Sequence, residues 1–304
     1  MTFFNLFRKG RPMSKIILIT GASSGFGRDT AETLAAAGHK VFAGVRDIGG
    51  RNAGVADQLR AKAIEVVDLD VTSDASVDTA LAEVLTKSGG RLDVVINNAG
   101  LASAGVSETF TPEQLRALFD VNVFGVQRLL RATLPTLRGK GDGLVINIGS
   151  ILGRVTFPFF GLYGASKFAL EALTDSYRYE LSQLGVDVVL VQPSAYPTNM
   201  YSAIQQPADA TRAGGYGEIA NIPGKMFETF MGIFQGANAP DPHDVATAIA
   251  KLIDTPKGKR PDRVVVGQPF GADAVNAQTS QIQQQVVEGL GLAALTSAPA
   301  GSVG

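Results

Sequence analysis

A tyrosine and a lysine four residues apart stand near the start of the stretch "LYGASKFALEAL", residues 162–173. On a helix, positions i and i+4 share a face, so Tyr163 and Lys167 would present a phenol and an ammonium to one small volume. A free phenol, with a pKa of about 10, exchanges protons poorly near neutrality, and a neighbouring cation favours its ionised form. The lysine is therefore expected to tune the tyrosine toward the working pH. Ser150, in "VINIGSILG", supplies a hydroxyl that can bond a carbonyl oxygen and steady the charge building there. A lone Tyr-Lys pair is equally well explained as packed helix surface. The chemical reading prevails because Ser150 and a glycine turn accompany it.

That turn is "ITGASSGFGRDTAETLAAAG", which follows the first β-branched run and spaces Gly21, Gly25 and Gly27 as GxxxGxG. Glycines let the backbone approach a pyrophosphate, which helix N-terminal N–H groups attract. A tight strand-to-helix turn would also use them, and it is their place after the first strand that favours a dinucleotide. The second run ends "VFAGVRD": Val45 stands where an acid for ribose hydroxyls belongs, and Arg46 follows, suited to a 2′-phosphate. Ser23 adds a hydroxyl facing the same phosphate. NADP(H) is the expected cofactor. NAD(H) stays open if Asp47 is the ribose acid after a one-residue slip. "LDVTS" carries Asp70 and Val71, and "NNAG" carries Asn98, Ala99 and Gly100, to the sheet edge where ligands of open α/β folds bind. The alternative is that Asp70 caps the helix beginning near Ser73 and the asparagines only make a turn.

The elements that must hold these groups alternate. Runs at 15–20, 40–45, 63–69, 92–98, 144–150, 186–192 and 263–267 read as seven strands, with helical patterns at 25–37, 73–87, 111–138, 162–184 and 241–254. Such alternation predicts an α/β fold with a parallel sheet covered by helices on both faces. No biased linker interrupts it, so residues 14–270 are read as one domain, with 194–240 a glycine-, proline- and aromatic-rich insertion or lid. Residues 1–13 read as a disordered lead, and the tail after 270 as partly helical, then disordered. Net charge of −1 gives no field for nucleic acid or anionic membrane. No cysteine and two histidines leave no thiolate chemistry, disulfide or metal cluster to expect, and a reducing cytoplasm suits the composition. The apolar patch at the N-terminus is too short to span a bilayer.

From about residue 14 to 267 the sequence resembles the short-chain dehydrogenase/reductases. The resemblance rests on "TGASSGFG" (20–27), "NNAG" (97–100), Asn122 in "DVNVFG", Ser150 in "NIGSILG", "YGASK" (163–167) and "PSAYPT" (193–198). It implies a Rossmann-type doubly wound seven-stranded sheet and hydride transfer between a nicotinamide and an alcohol or carbonyl carbon. By resemblance, Tyr163 is the acid in reduction and the base in oxidation, Ser150 orients the substrate oxygen, Lys167 binds the nicotinamide ribose and lowers the tyrosine pKa, and Asn122 holds a relay water. Ser24 and Phe26 join the phosphate turn. Ala99 and Gly100 pass the adenosine half, Asp70 and Val71 meet the adenine, and Pro193, Tyr196 and Thr198 grip the carboxamide. Ser194 stands where the family usually has glycine.

"VFAGVRD", "PSAYPT" and the enlarged 194–240 segment look nearest to the hydroxysteroid and retinol dehydrogenase branch. Phe157, Phe160, Tyr196, Met200 and Phe227 are the expected lining of an apolar pocket for a bulky ketone, aldehyde or alcohol, with lid or interface packing as the other reading of the same side chains. The rivals are a reductase of 3-oxoacyl thioesters, which would want more cations near the mouth than Arg212 and Lys225, and a non-catalytic NADP(H) sensor, for which tyrosine or lysine is typically lost. Relatives commonly form homodimers or homotetramers through helices at 111–138 and 162–184.

Overall fold

Every expected β run forms a strand in the computed structural model, which describes residues 14–296. The strands are β1 (Ile16–Thr20), β2 (Lys40–Val45), β3 (Glu65–Asp68), β4 (Val94–Asn97), β5 (Gly143–Ile148), β6 (Val186–Pro193) and β7 (Arg263–Val266). All pair in parallel, in the order β3-β2-β1-β4-β5-β6-β7. The winding reverses between β1 and β4, which opens a crevice at their carboxyl ends. Around the sheet lie α1 (Gly25–Ala36), α2 (Ala53–Arg60), α3 (Asp74–Ser88), α4 (Pro112–Phe119), α5 (Gly125–Lys140), α6 (Gly161–Ser182), α7 (Ile222–Gln235), α8 (His243–Asp254) and α9 (Ala272–Gly289). No helix among the described residues is long and apolar enough to cross a membrane.

Strand β1 explains the unbroken apolar runs. Successive side chains point to opposite faces. Ile17 and Ile19 pack with Leu34 of α1, Leu59 of α2 and Ile249 of α8, while Ile16 and Leu18 pack with Val84 of α3, Leu129 of α5 and Leu170 of α6. Both faces are dry, and each fully buried leucine or isoleucine contributes about 1.5–3 kcal/mol.

Three helical expectations need correction. The pattern at 111–138 is two helices joined by a π turn, Asp120–Phe124, where the Gly125 N–H donates to the Asp120 carbonyl. One extra residue enters the helix there without proline or glycine to announce it. Helix α2 was not expected. Residues 194–240 contain a 3-10 segment, Ala210–Asn221, and then α7, with no buried residue in either. The tail after residue 270 carries α9. Residues 1–13 and 297–304, read as disordered, lie outside the described residues.

Candidate active site

Helix α6 starts where the chain leaving β5 has crossed the carboxyl edge of the sheet, and its first turns carry the two groups that the sequence paired. Tyr163 is 9% exposed and Lys167 4% exposed, with the ammonium 5.7 Å from the centre of the phenol ring. Ser150, the residue before a short 3-10 turn, hydrogen-bonds the Tyr163 phenol and accepts from the Leu152 N–H at 3.1 Å. The three expected side chains therefore meet. Their electrostatics differ from the expectation. Burial pushes the Tyr163 phenol up to about 12, opposed by the Ser150 hydrogen bond, and burial pushes Lys167 down to about 8, opposed by the Glu171 carboxylate. The Lys167 Nζ donates to the Ile148 carbonyl at 2.8 Å, so its polarity is spent on the strand as well as offered to the phenol. For the phenol, desolvation is the larger effect.

Glu171 continues the Tyr163–Lys167 spacing by one more turn and was missed by the sequence reading. It is buried, ion-paired with Arg154 Nη2 at 3.0 Å and Arg263 Nε at 2.9 Å, and accepts from Gln192, whose Oε1 receives a bond from Asn276 of α9 at 2.7 Å. An acid in the apolar frame "ALEALT" was the available signal. Asn122 sits in the π turn. Its side chain is committed: Oδ1 accepts from the Leu101 N–H at 2.8 Å, and Nδ2 donates to the Leu101 carbonyl and Ser166 Oγ, each at 2.9 Å. A relay water would thus have to use its backbone carbonyl.

Beside this triad runs a cleft of about 410 Å³, lined by Gly21, Ser23, Ser24, Gly25, Phe26, Val45, Arg46, Val71, Asn98, Ala99, Gly100 and Thr198 among the expected residues. Gly21 and Gly25 have φ of +66° and +53°, and a Cβ at Gly21 would come within 2.8 Å of the Ala99 backbone, so both positions require glycine. Gly27 lies behind the cleft, where a Cβ would strike Asn98 Nδ2 and the Gly21 carbonyl. Asn98 braces the turn by donating to the Thr20 carbonyl at 2.9 Å and the Gly21 carbonyl at 3.2 Å. The first turn of α1 has neither a side-chain cap nor an acid, whereas α3 and α4 are capped by Ser73 and Thr111. Its N–H groups are thereby left to an anion.

The far end of the cleft carries the residues of the slip left open above. Asp47, at φ +54°, accepts a hydrogen bond from the Arg51 N–H at 3.1 Å through its carboxylate. Arg46, Arg51 and Asn52 line the cleft, and the last two were not foreseen. Asp70 accepts from Thr72 N and Oγ1 at 2.9 and 2.8 Å and faces Arg46 Nη1 at 3.9 Å. Burial would raise its pKa, but the Thr72 hydrogen bonds, Arg46 and Arg51 hold it below the usual range. Val71 alone of that pair lines the cleft.

Residues 15–209 match the short chain dehydrogenase family. The chain belongs to that family. It is 39% identical over 184 residues to 3-ketodihydrosphingosine reductase of Bacteroides thetaiotaomicron, covering 60% of this chain and 65% of that enzyme. Retinol dehydrogenase 8 of Bos taurus is 31% identical over 251 residues, 79% and 78% of the two chains. A short-chain dehydrogenase from Streptomyces avermitilis superposes with a TM-score of 0.73 at 34% identity, covering 90% of this chain and 96% of its own. One from Burkholderia phymatum, in complex with NAD, gives 0.69 at 27% identity, with 90% and 95% covered. An actinorhodin polyketide ketoreductase variant with NADPH gives 0.69 at 25%, with 85% and 97% covered. This is therefore an oxidoreductase family, and its solved members include ones that hold NAD or NADPH.

Here the cleft opens into a smaller cavity of about 100 Å³ at Ser150, Tyr163 and Lys167, and Phe26, Asn98, Gly100, Thr198 and Met200 belong to both walls. Phe157, Phe160 and Met200 of the expected substrate residues line it, together with Pro193, expected at the carboxamide, and with Tyr201, Ile204, Phe230 and Phe270. Two of the expected substrate residues are placed otherwise. Phe227 lies outside this cavity, on the wall of its neighbour. Tyr196 contributes to the wall, but its ring is core: it is 1% exposed, packs edge-on against Phe26 at 5.6 Å, and donates its hydroxyl to Asp244 at 3.3 Å.

Proposed function

We propose that the chain is an NADP(H)-dependent oxidoreductase that interconverts a hydrophobic ketone or aldehyde and its alcohol. The observation that carries this reading is the meeting of Ser150, Tyr163 and Lys167 over an apolar cavity that opens into a glycine-walled cleft ending in two arginines. The residues fit a nicotinamide dinucleotide. The uncapped start of α1 would hold its pyrophosphate, Arg46 and Arg51 a 2′-phosphate, Lys167 the ribose near the reacting ring, and Pro193 to Thr198 the carboxamide. The cofactor, when bound, supplies or accepts the hydride. Ser150 orients the substrate oxygen, and Tyr163 delivers a proton to it in reduction or removes one in oxidation. The relatives named for a ketodihydrosphingosine and a retinol support an apolar substrate. Exposed Leu115, Phe124 and Phe168 on and between α4 and α6 favour self-association through that face, and the cysteine-free composition suits the cytoplasm.

The test is consumption of NADPH and NADH with a ladder of apolar ketones, repeated with Tyr163→Phe. The variant is expected to lose about a hundredfold to ten-thousandfold in kcat while still binding NADPH. The pH profile adds a second readout. With the phenol pushed up to about 12, the ionised form is scarce at neutrality and grows about tenfold per pH unit. Alcohol oxidation by the unmodified enzyme should climb from pH 7 to 10, ketone reduction should not, and the phenylalanine variant should lose the climb. Normal turnover by that variant would remove the proton donor. Tight NADPH binding with no turnover of any ketone or alcohol would make the protein a sensor.

A further inference from the structure

A second cavity, of about 360 Å³, lies under α7 and is larger than the one at the triad. Its wall includes Ala104, Phe159, Pro223, Met226 and Phe227, and contains no Asp, Glu, Lys, Arg or His. Phe160, Tyr201, Ile204 and Phe230 belong to both walls and so form the partition between the two spaces among the described residues. They touch through ring edges and tilted faces, Phe160 to Phe230 at 6.4 Å and Tyr201 to Phe230 at 6.1 Å. None of the four is buried to core level, and α7, which carries Phe230, has no buried residue. These partly buried side chains are the partition that a guest would have to turn aside to join the cavities.

Two further features mark the second cavity as built for an occupant. Phe159 holds a φ of +68°, a region that bulky side chains avoid, and the Gly105 N–H donates to its carbonyl at 2.8 Å to keep it there. That backbone sets a phenylalanine in the cavity wall. Phe227, 40% exposed, belongs both to the wall and to the outer surface, so the cavity reaches solvent on the side of α7.

We propose that this second cavity takes the unbranched alkyl tail of the substrate, with the carbonyl held by Ser150 and Tyr163 and the chain passing between Tyr201 and Phe230 beneath α7. The substrate class is then a long-chain aliphatic ketone or its secondary alcohol, carrying no charge along the tail. This rests on the oxidoreductase reading and goes beyond it, since the triad cavity alone would serve small ketones equally well. A charged or carrier-linked chain would find no partner in this wall.

The experiment is kcat/KM for a series of methyl ketones from four to sixteen carbons with NADPH. Each methylene that enters an apolar wall is expected to raise it about fourfold, until the cavity is full and the series levels off. Met226, which lines only the second cavity, tests the location. Met226→Trp fills the space and should level the series several carbons earlier, whereas Met226→Ala enlarges it and should level it later. The readout is the chain length at the plateau, which a general loss of activity does not move. If the tryptophan variant fails to fold, the alanine variant carries the test alone. Turnover of short ketones with a flat series overturns the tail site, as do variants that leave the plateau where it was. No turnover of any ketone with either cofactor overturns the oxidoreductase reading itself.

Discussion

Helices α6 and α7 both contribute to the triad cavity, through Tyr163 and Lys167 on one side and Phe230 on the other, but they are held in opposite ways. Helix α6 buries Tyr163, Lys167, Leu170 and Glu171 against β5, β6 and the core, and its polar groups are tied to named partners. Helix α7 buries nothing completely and rests on aromatic contacts of Tyr201, Phe230 and Phe234. On the function proposed above, the difference separates two jobs. Proton transfer needs groups fixed to within a fraction of an ångström in a dry site. A wall that admits apolar chains needs area without charge, and it can yield. One side of the cavity is therefore costly and rigid, and the other is cheap and adaptable.

The largest expected effect breaks the rigid side. Lys167→Met should cut kcat by about a hundredfold or more, by the scale of proton-transfer and orienting groups, yet it should not destabilise the fold in proportion. Burial pushes this lysine from 10.5 down to about 8, which corresponds to a cost of about 3 kcal/mol for holding the ammonium. The sign follows from linkage. Between pH 8 and 10.5 the unfolded chain binds the proton and the folded chain has lost it, so this group makes stability rise with pH across that window. Denaturant unfolding at pH 7, 8, 9 and 10 should show the methionine variant's advantage over the lysine protein shrinking as pH rises. A variant advantage that stays constant with pH would mean the ammonium is not held at a cost.

Sequence legibility follows the same division. Strand β2 runs over the expected residues 40–45, because a strand dry on both faces must be written as a continuous apolar run. The Tyr163–Lys167 pair and Ser150 were readable because spacing on one helix and position at a strand end fix where side chains go. Glu171 was not, since its role depends on Arg154 and Arg263, which reach it from outside α6. The π turn was hidden because nothing in "LFDVNVFG" breaks helix geometry locally; the extra residue is accommodated as Asn122 bonds the chain after β4. Helix α7 was legible in principle: Pro223, Met226, Phe230 and Phe234 recur at helical spacing, and proline is tolerated in a first turn. Its glycines and the surrounding loop composition masked that period. Arg51 was overlooked because it follows "DIGG", a turn whose geometry only the fold supplies.

The cofactor end of the cleft sharpens the comparison at intermediate size. Arg46 and Arg51 are both largely exposed, so they act by charge and not by packing. Arg46→Ala is expected to raise KM for NADPH about ten- to a hundredfold and Arg51→Ala severalfold, with KM for NADH little changed in either, on the scale of charge-assisted phosphate contacts of about 1.5–3 kcal/mol. Initial-rate kinetics with both cofactors, at low and high salt, would check it. Equal losses with NADH would place the arginines in general cofactor binding.

The smallest effect is expected where the adaptable wall is weakened. Phe230→Ala removes a ring that α7 shares with Phe160, Tyr201 and Phe234, but the ring lies at a half-exposed interface where water and neighbouring side chains can fill the space. Its cost in unfolding free energy should stay near about 1 kcal/mol, the scale of an aromatic contact. Leu170→Ala on α6, in the closed core, should cost about 2–5 kcal/mol because the cavity it leaves cannot collapse. The ratio matters more than either value. If the two substitutions cost the same, α7 is as firmly seated as α6, and the division between a fixed chemical side and a yielding substrate side fails at its structural root.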